Sequence, residues 1–325
     1  MKIRKHLFRD AIIGFAIGDA LGAPAEFGER WMRDLDPVHE MRSGGIFEVP
    51  IGGWTDDTSM TLATLDSLSH GYNAVDIMNR FVSWLRTGKY SIFDEPIGIG
   101  KQILRAIEHY EANRDIHACG CSAETDNGNG SLMRILPLCL YCYQCKQDHS
   151  LSEADIIGKI HETSSLTHSH PRSLIACGMY YFMIESLLEH TGDLIALLQK
   201  GILKGIEYYS NADTVFSNEL QHYSRALNLD SLCQIPRDQI NSSGYVIDTF
   251  EAVLWSLITT DTYRSALLKA VNLGLDTDTI AAIAGGLAGL YYGYSSIPAE
   301  WIAALAKRNE IEALCEYFDA KQTEV

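Results

Sequence analysis

Two short acidic segments, residues 52–58 and residues 274–279, contain the side chains best suited to chemistry. Each carries two aspartates and at least one threonine where a helix is predicted to begin. The aligned N–H groups of a helix start favour negative charge, so we expect these carboxylates to stay ionised. Carboxylate and hydroxyl oxygens are the ligands that Mg²⁺ and Ca²⁺ prefer, and the absence of soft donors from both segments argues against zinc.

Either segment alone is better explained by helix capping than by metal binding, because Asp and Thr are common capping residues. The two together favour a metal site: four converging carboxylates would raise one another's pKa unless cations offset the repulsion. A two-metal cluster satisfies this requirement. The interpretation fails if Asp56 and Asp278 lie far apart, or if their oxygens contact only backbone amides.

A third acidic feature lies in residues 18–27, which follow the core of the first predicted helix. The helix is expected to end near Gly22, and Pro24 then enforces a turn that presents Glu26 from a loop. A solvated loop carboxylate is the alternative explanation for Glu26. Asp19 is interpreted as a structural residue that binds backbone groups at the helix end.

Three further segments have features of ligand-binding loops. Residues 125–131 lead into a predicted helix whose N–H groups could bind a phosphate, although they match neither the P-loop nor GxGxxG. The histidines of residues 167–171 could bind a metal or a ligand, but helix capping and packing explain them equally well. Tyr245 is either a buried aromatic residue or a ring that stacks on a base or ribose.

The elements that must position these residues are predicted to be helices throughout. Hydrophobic residues recur with helical spacing, and no convincing alternating strand pattern is present. No linker and no solenoid repeat divides the chain, so we expect an all-α fold in a single compact orthogonal helical domain, residues 1–325, with a dinuclear metal cleft. The predicted helices cover residues 7–21, 57–69, 74–87, 98–113, 131–145, 153–164, 171–190, 192–209, 245–259, 261–272, 278–292, 298–307 and 309–319.

Several glycines interrupt the penultimate long helix of this pattern. Glycine in a helix interior costs about 1 kcal/mol relative to alanine, so their presence implies a close backbone approach in the core. They are Gly285, Gly286, Gly289 and Gly293.

The net charge of −16 excludes several functions. So acidic a surface would repel nucleic-acid phosphates and anionic membranes, and no basic stripe opposes it. We expect neither a nucleic-acid nor a membrane partner. A small phosphate-bearing ligand remains compatible, because a bound cation inverts the local field.

The cysteines and the N-terminus favour a cytoplasmic protein. Cys139, Cys142 and Cys145 share a helix face and are interpreted as buried small hydrophobes; a zinc site would need another ligand to fold back onto them. Free cysteines at this density suit a reducing compartment. Residues 1–6 include three basic residues but precede no clean apolar stretch, so a signal peptide is not expected.

At these residues the sequence resembles the ADP-ribosylglycohydrolase family, which includes the dinitrogenase reductase-activating glycohydrolases. The paired TDDT and DTDT motifs are the most specific. The resemblance extends over about residues 8–293, and its motifs are GDALGAPAEF (18–27), WTDDTSM (54–60), GNGSLMR (128–134), THSHP (167–171), SGYV (243–246) and LDTDTIAAIAGGLAGLYYG (275–293).

The resemblance implies two Mg²⁺ ions, with Mn²⁺ as a possible substitute, at the base of a cleft and against the distal ribose of ADP-ribose. The implied metal ligands are Thr55, Asp56, Asp57, Asp276, Asp278 and Thr279. Glu26 resembles the acid/base or water-activating residue, and Asp57 and Asp278 also count as catalytic. The implied substrate contacts are Asn129, Gly130 and Ser131 at the diphosphate, His168 on the ribose side, and Tyr245 in the cleft.

Two positions depart from the family pattern. Many members carry an acidic residue before an Ile-Gly pair, where this chain has Gly98; Asp94 or Glu95 could substitute. Because that loop flanks the leaving group in relatives, the departure bears on specificity. Many members also have glycine where this chain has Leu275, which we attribute to local packing that leaves the metal ligands intact.

The expected activity is magnesium-dependent hydrolysis of ADP-ribose from a modified protein side chain, with arginine as the first choice of linkage. Serine-linked or O-acetyl ADP-ribose, immunity against an ADP-ribosylating toxin, a non-catalytic ADP-ribose binder and a diphosphate-cleaving phosphoesterase are the alternatives. The partner is an ADP-ribosylated protein or a small molecule containing ADP-ribose, and the chain is expected to act as a monomer. Residues 210–242 are the least readable segment, with a lid or partner surface as options.

Overall fold

The computed structural model describes residues 6–321, which fold almost entirely into helices. Within that range no strand forms, and only isolated bridges pair Gly44 with Val49 and Cys121 with His168. The all-α class predicted from the helical spacing is therefore confirmed. The basic residues at positions 2, 4 and 5 lie outside the described range.

The α-helices of the described residues are numbered in chain order. They are α1 (Leu7–Gly22), α2 (Arg30–Leu35), α3 (Asp56–Leu68), α4 (Ala74–Thr87), α5 (Lys101–Asn113), α6 (Leu136–Gln147), α7 (Glu153–Ser165), α8 (Pro171–Glu189), α9 (Leu194–Ser210), α10 (Thr214–Glu219), α11 (Leu229–Leu232), α12 (Val246–Ile258), α13 (Tyr263–Val271), α14 (Thr277–Tyr292), α15 (Ala299–Ala304) and α16 (Arg308–Lys321). Single 3-10 turns cover Ala23–Ala25, Glu124–Asp126, Leu132–Arg134, Leu220–Tyr223, Arg237–Gln239 and Tyr294–Ser296.

The chain divides into two compact units. Unit 1 comprises Met1–Thr58 and Arg225–Val325, and unit 2 comprises Ser59–Ser224. The single-domain organisation expected from the sequence stays a prediction. None of the helices formed by residues 6–321 combines the length and apolarity needed to cross a bilayer.

Helices α1 and α14 form the centre of unit 1 and pack backbone against backbone. A Cβ added at Gly14 would lie 2.5 Å from the carbonyl oxygen of Gly285, and one at Gly18 would lie 2.1 Å from that of Ala281. Since both distances are shorter than any real contact, only glycine fits there. The close backbone approach predicted from the glycines of α14 is confirmed for Gly285, and also for Gly289, whose Cβ would lie 2.1 Å from the carbonyl oxygen of Asp10.

This glycine seam (Gly14, Gly18, Gly22, Gly285 and Gly289) extends to the start of α14. A Cβ at Gly22 would lie 2.4 Å from the Cα of Asp278, and Thr277 donates from Oγ1 to the Gly22 carbonyl at 3.1 Å. The position of Asp278 therefore depends on the absence of a side chain at residue 22.

Helix α8 is the buried helix of unit 2, where every residue from Arg172 to Leu187 is buried. Helix α9 packs against it through Gly201, at which a Cβ would lie 2.6 Å from the Cα of Met183. Helices α4 and α5 bury one apolar face each, including Phe81 and Ile107. These contacts fix the loops that connect the helices of this unit.

The predicted helices agree with the structure to within a few residues. The sequence pattern missed α2, α10 and α11, which are too short to show a helical period. Helix α9 is capped by Asp193, whose carboxylate accepts from the Ala196 N–H at 3.1 Å. Helix α13 is capped by Thr262, whose hydroxyl accepts from the Ser265 N–H at 3.1 Å.

Candidate metal centre and ligand-binding residues

The start of α3 is held by Asp19, whose carboxylate comes from α1. It accepts hydrogen bonds from the backbone N–H groups of Thr55 and Thr58, at 3.0 and 2.9 Å, and from both threonine hydroxyls, at 3.0 and 2.6 Å. The structural role predicted for Asp19 is confirmed, although the backbone groups it binds belong to the start of α3 rather than to the end of its own helix, α1. Because Asp19 caps α3, neither Asp56 nor Asp57 is needed as its cap.

The start of α14 carries the second acidic pair. Asp276 stands at the N-cap position, but its side chain makes no capping hydrogen bond. Asp278 and Thr279 follow in the first turn and are buried, with 2% and 4% of their surface exposed. The capping alternative considered for this segment is therefore wrong.

The two acidic segments meet inside unit 1. The Oγ1 atom of Thr55 lies 3.2 Å from Oδ2 of Asp57 and 3.3 Å from Oδ2 of Asp278, in addition to its bond to Asp19. One hydroxyl hydrogen cannot satisfy three carboxylates. The cluster therefore needs protons or cations in addition to its hydrogen bonds.

Glu26 joins this cluster from the loop after α1. One carboxylate oxygen from each of Glu26, Asp276 and Asp278 lies within 4.8 Å of the other two. Among the described residues this is the only such group of three or more His, Cys, Asp or Glu ligands, so the alternative zinc site at the cysteines of α6 receives no support. The solvated-loop explanation for Glu26 is wrong, since one of its oxygens is fully buried.

A pair of backbone hydrogen bonds holds Glu26 beside the aspartates. Phe27 donates to the Leu275 carbonyl at 2.7 Å, and Leu275 donates to the Gly28 carbonyl at 2.8 Å. Phe27 and Leu275 both adopt left-handed backbone conformations, with φ of 60° and 62°. Residues other than glycine are uncommon in this region, so the backbone is strained at both positions.

Burial and mutual repulsion govern the protonation of the cluster. Burial, reinforced by repulsion from neighbouring carboxylates, raises the pKa of Asp56, Asp57 and Asp278 well above the usual range. Burial together with repulsion from three aspartates raises the pKa of Glu26 to about 12. These shifts agree with the rise in pKa expected for converging carboxylates without cations, because desolvation and repulsion outweigh the favourable helix starts.

Several oxygens of the cluster have no partner at all. Oε2 of Glu26, Oδ1 of Asp57 and Oδ1 of Asp278 are buried without a hydrogen bond to any described residue. Unsatisfied buried polar atoms are rare, and carboxylate oxygens are the donors that suit hard divalent cations. The residues present therefore fit a metal centre.

Residues 242–245 lie beside this centre in unit 1. Asp276 donates its N–H to the Ser242 carbonyl at 3.0 Å, and a Cβ at Gly244 would lie 3.5 Å from Oδ2 of Asp276. Tyr245 precedes α12 as its N-cap residue and is half-buried. It is therefore not the fully buried aromatic residue of the alternative interpretation.

The least readable segment of the sequence is anchored by Arg30. Its guanidinium donates to the carbonyls of Leu273, Arg237 and Ile240. Residues 237–240 are thereby fixed to the strand-free loop that leads into α14. The C-terminal end of the segment 210–242 is therefore a loop that is hydrogen-bonded to the rest of unit 1.

Unit 2 brings together the residues predicted to contact the substrate diphosphate and ribose. The ring of His168 packs under the loop of residues 128–131, because a Cβ at Gly130 would lie 2.8 Å from its Cε1 and one at Gly128 would lie 3.3 Å from its Nε2. His168 is 1% exposed, and burial, with a smaller contribution from Arg134, lowers its pKa to about 3. The ring is therefore neutral.

The other members of this loop differ in accessibility. Asn129 is 8% exposed, whereas Ser131 is fully buried with its hydroxyl 3.6 Å from the sulfur of Cys177. Any contact from Ser131 to a ligand must therefore use its backbone. The loop enters a 3-10 turn before α6 begins at Leu136, so the helix start predicted at residue 131 lies further along the chain.

Gly98, also in unit 2, adopts a φ of +77°. An acidic residue would be strained in this left-handed conformation, which explains why glycine stands there. Asp94 and Glu95 are both exposed.

Sequence reasoning missed two residues next to His168. Arg134 and Thr167 are fully buried, and the Arg134 guanidinium donates to the Thr167 hydroxyl at 2.7 Å. Both stand inside recognised motifs, GNGSLMR and THSHP. An arginine in a stretch of otherwise apolar residues was the available signal, since a buried arginine requires specific partners.

Comparisons with known proteins agree with this geometry. The family model described as ADP-ribosylglycohydrolase matches residues 2–324. The chain is 34% identical to ADP-ribosylarginine hydrolase Tri1 of Pseudomonas putida (strain GB-1), over 96% of this chain and 77% of the relative. It is 32% identical to the ADP-ribosyl-[dinitrogen reductase] glycohydrolase of Rhodospirillum rubrum, over 93% and 91%. A solved structure titled ADP-ribosylglycohydrolase-related protein complex superposes with a TM-score of 0.78 and 30% identity, covering 99% of this chain and 100% of that one.

Proposed function

The chain belongs to the ADP-ribosylglycohydrolase family and is accordingly a glycosidic-bond hydrolase, and we propose that it removes ADP-ribose from arginine side chains of a modified protein in a magnesium-dependent reaction. The observation that carries this proposal is the group formed by Glu26, Asp276 and Asp278, each of which has a carboxylate oxygen within 4.8 Å of the other two.

We propose that two Mg²⁺ ions, replaceable by Mn²⁺, are held by six residues of unit 1. Bound cations would offset the repulsion between the carboxylates and supply a Lewis acid for hydroxyl oxygens of the distal ribose. The contact between Thr55 and Asp278 supports a shared ligand set, because it joins the two acidic segments. The proposed ligands are Thr55, Asp56, Asp57, Asp276, Asp278 and Thr279.

Glu26 is the proposed acid/base residue. Bound cations would lower its raised pKa, and its Oε2 atom, which has no hydrogen-bond partner, would then accept the proton of the attacking water. As water adds to the anomeric carbon, the bond from that carbon to the arginine nitrogen breaks, and Glu26 passes the proton taken from water to that nitrogen. The surrounding carboxylates, Asp57 and Asp278 among them, stabilise the positive charge that develops on the sugar.

The proposed substrate contacts lie outside this carboxylate cluster. In unit 2, backbone groups of Asn129, Gly130 and Ser131 suit the diphosphate, and His168 under this loop suits a ribose or phosphate oxygen. In unit 1, the half-buried ring of Tyr245 is available to line the substrate-binding surface.

Arginine is the proposed linkage because the relative from Pseudomonas putida is named an ADP-ribosylarginine hydrolase. The eight free cysteines support a reducing, cytoplasmic location. We also propose that the chain acts as a monomer on its ADP-ribosylated protein substrate.

The test is product release from arginine-linked and serine-linked ADP-ribosylated peptides, each with Mg²⁺ and with EDTA. We expect intact ADP-ribose from the arginine-linked peptide in Mg²⁺ only. Mass spectrometry distinguishes this from a phosphoesterase, which would release AMP. Full activity in EDTA, or ADP-ribose binding by calorimetry without any hydrolysis, would contradict the proposal.

A further inference from the structure

The ring of His168 has one hydrogen-bonding partner in the described part of the chain. Its Nδ1 atom lies 2.8 Å from Oγ1 of Thr167. A neutral imidazole carries its hydrogen on either nitrogen, so this contact alone leaves two arrangements. The partner of Thr167 decides between them.

Arg134 is that partner and can only donate. Its Nη2 atom lies 2.7 Å from Oγ1 of Thr167 and 3.1 Å from the Thr163 carbonyl. A guanidinium has five N–H donors and no acceptor, so the Thr167 oxygen must accept from it. The hydroxyl hydrogen of Thr167 is then directed elsewhere.

The remaining polar neighbour of the Thr167 hydroxyl among the described residues is Nδ1 of His168. If Nδ1 carried the ring hydrogen, the oxygen would accept twice and a buried hydroxyl hydrogen would have no acceptor, which is unfavourable. Thr167 therefore donates to Nδ1. The ring hydrogen lies on Nε2.

We propose that Arg134 and Thr167 are positioning residues that hold His168 as a neutral ring with its hydrogen on Nε2, and that this N–H donates to an acceptor oxygen of ADP-ribose. The donation from Nε2–H to ADP-ribose rests on the proposed function. We call this chain of hydrogen bonds, from Arg134 to Thr167 to His168, the relay. Its direction is fixed because a guanidinium donates hydrogen bonds and cannot accept them.

The surroundings of the ring suit a donor to a ligand. Nε2 binds no described residue, and it lies beside Gly128, where a Cβ would come within 3.3 Å. The two loop glycines, Gly128 and Gly130, place no side chain of their own against the ring. An oxygen acceptor of a phosphate or a ribose hydroxyl is the chemical group that this arrangement recognises.

The charge of Arg134 supports the same arrangement. Arg134 is fully buried and forms no salt bridge with a carboxylate of the described residues; its guanidinium lies 4.6 Å from the Phe81 ring centroid. An uncompensated positive charge nearby disfavours a second positive charge on the ring. His168 is thus a fixed donor and does not exchange protons during the reaction.

The test is NMR of the full-length protein with ¹⁵N-labelled histidine, with His168 assigned from the signals lost in H168Q. We expect the Nδ1 shift of an acceptor nitrogen and the Nε2 shift of a protonated one. The variant T167S should keep this pattern, and T167V, of matched shape, should give a mixture of the two tautomers. A wild-type ring protonated on Nδ1, or an unchanged pattern in T167V that is folded by circular dichroism, would overturn the relay.

ADP-ribose is the probe for the ligand half. We expect its addition to shift the Nε2 signal, and T167V to weaken its binding by about 5- to 10-fold, as for one lost hydrogen bond, with T167S close to wild type. An unchanged Nε2 signal at saturating ADP-ribose would contradict the donor role. The tautomer is measured without turnover. A protein that shows the expected tautomer but no hydrolysis would therefore contradict the proposed function and leave the relay intact.

Discussion

Thr55 and Asp278, 223 residues apart in the chain, approach to 3.3 Å between Oγ1 and Oδ2. Their approach joins the start of α3 to the start of α14 within unit 1. Two acidic segments that could each have been an ordinary cap thus form one acidic cluster.

Removing either segment's central carboxylate should abolish turnover. We expect D57A and D278A to lower the hydrolysis rate by at least about 10²-fold, because each removes a proposed metal ligand. EDTA should have the same effect reversibly. The measurement is ADP-ribose release from an arginine-linked peptide, with D261A, at an exposed aspartate, as the matched control. Wild-type rates in D57A would contradict the assignment.

The variant D278N should change stability in opposite directions with and without metal. In EDTA we expect a gain of about 1–2 kcal/mol, because one member of a buried, mutually repelling group is removed. In Mg²⁺ the wild type should be the more stable, since binding to the folded state stabilises it by mass action. Urea denaturation under both conditions measures this. A variant less stable than wild type in EDTA would argue against repulsion in the cluster.

Metal-free protein should lose stability as the pH rises. Asp56, Asp57, Asp278 and Glu26 have pKa values raised in the folded state, to about 12 for Glu26, so above their unfolded values near 4 the folded protein binds more protons. Stability then falls with pH by about 1.4 kcal/mol per unit for each extra proton. Denaturation at pH 5, 6.5 and 8 in EDTA tests this, and Mg²⁺ should flatten the dependence. Stability that rises over this range in EDTA would contradict the shifts.

The variant G22A should damage both stability and metal binding. Its Cβ would lie 2.4 Å from the Cα of Asp278, so the helices must separate and the ligand must move. We expect a loss of about 2–4 kcal/mol and weaker Mn²⁺ binding by calorimetry. The control is G158A in the middle of α7, where nothing lies within 4 Å of the added Cβ and a gain of up to about 1 kcal/mol is expected. Equal effects of the two changes would refute the role of the seam.

At position 275 the variant with glycine should be more stable than the variant with alanine, the reverse of the order in a helix interior. Its φ of 62° penalises any Cβ, so L275G should be more stable than L275A, by about 1 kcal/mol. At Leu203, which is exposed in the middle of α9, the ordinary order should hold, with alanine above glycine by a similar amount. Thermal unfolding of the four variants measures both orders. The same order at both positions would show that no strain is stored at Leu275.

The sequence was sufficient for the class of fold and for the pairing of the acidic segments. The helical period gave the long helices, and the requirement that four carboxylates share a cation predicted that Asp56 and Asp278 would lie close together. The glycines of α14 indicated the close approach to α1. The helices can be predicted because their hydrophobic pattern repeats. The acidic cluster and the close helix contact can be predicted because clustered carboxylates, and glycines inside a helix, each have one main physical explanation.

Other features depend on tertiary contacts and were not predictable. Asp19 lies on α1 and caps α3, which no local sequence pattern shows. The positive φ of Phe27 follows from its bond to Leu275, far away in the chain. The role proposed for Arg134 depends on its contact with Thr167, which in turn contacts His168. The pKa values of the acidic cluster also depend on tertiary structure, because a helix start is a local feature whereas desolvation depends on the whole fold.

The hydrogen bonds of Asp19 have a practical consequence for handling the protein. Its four donor groups, the N–H and O–H of Thr55 and Thr58, hold the first turn of α3 without help from any cation. Loading the centre then exchanges protons for ions on a scaffold that is already formed. Crystals grown in a chelator should therefore take up Mn²⁺ by soaking, with the lattice and diffraction preserved.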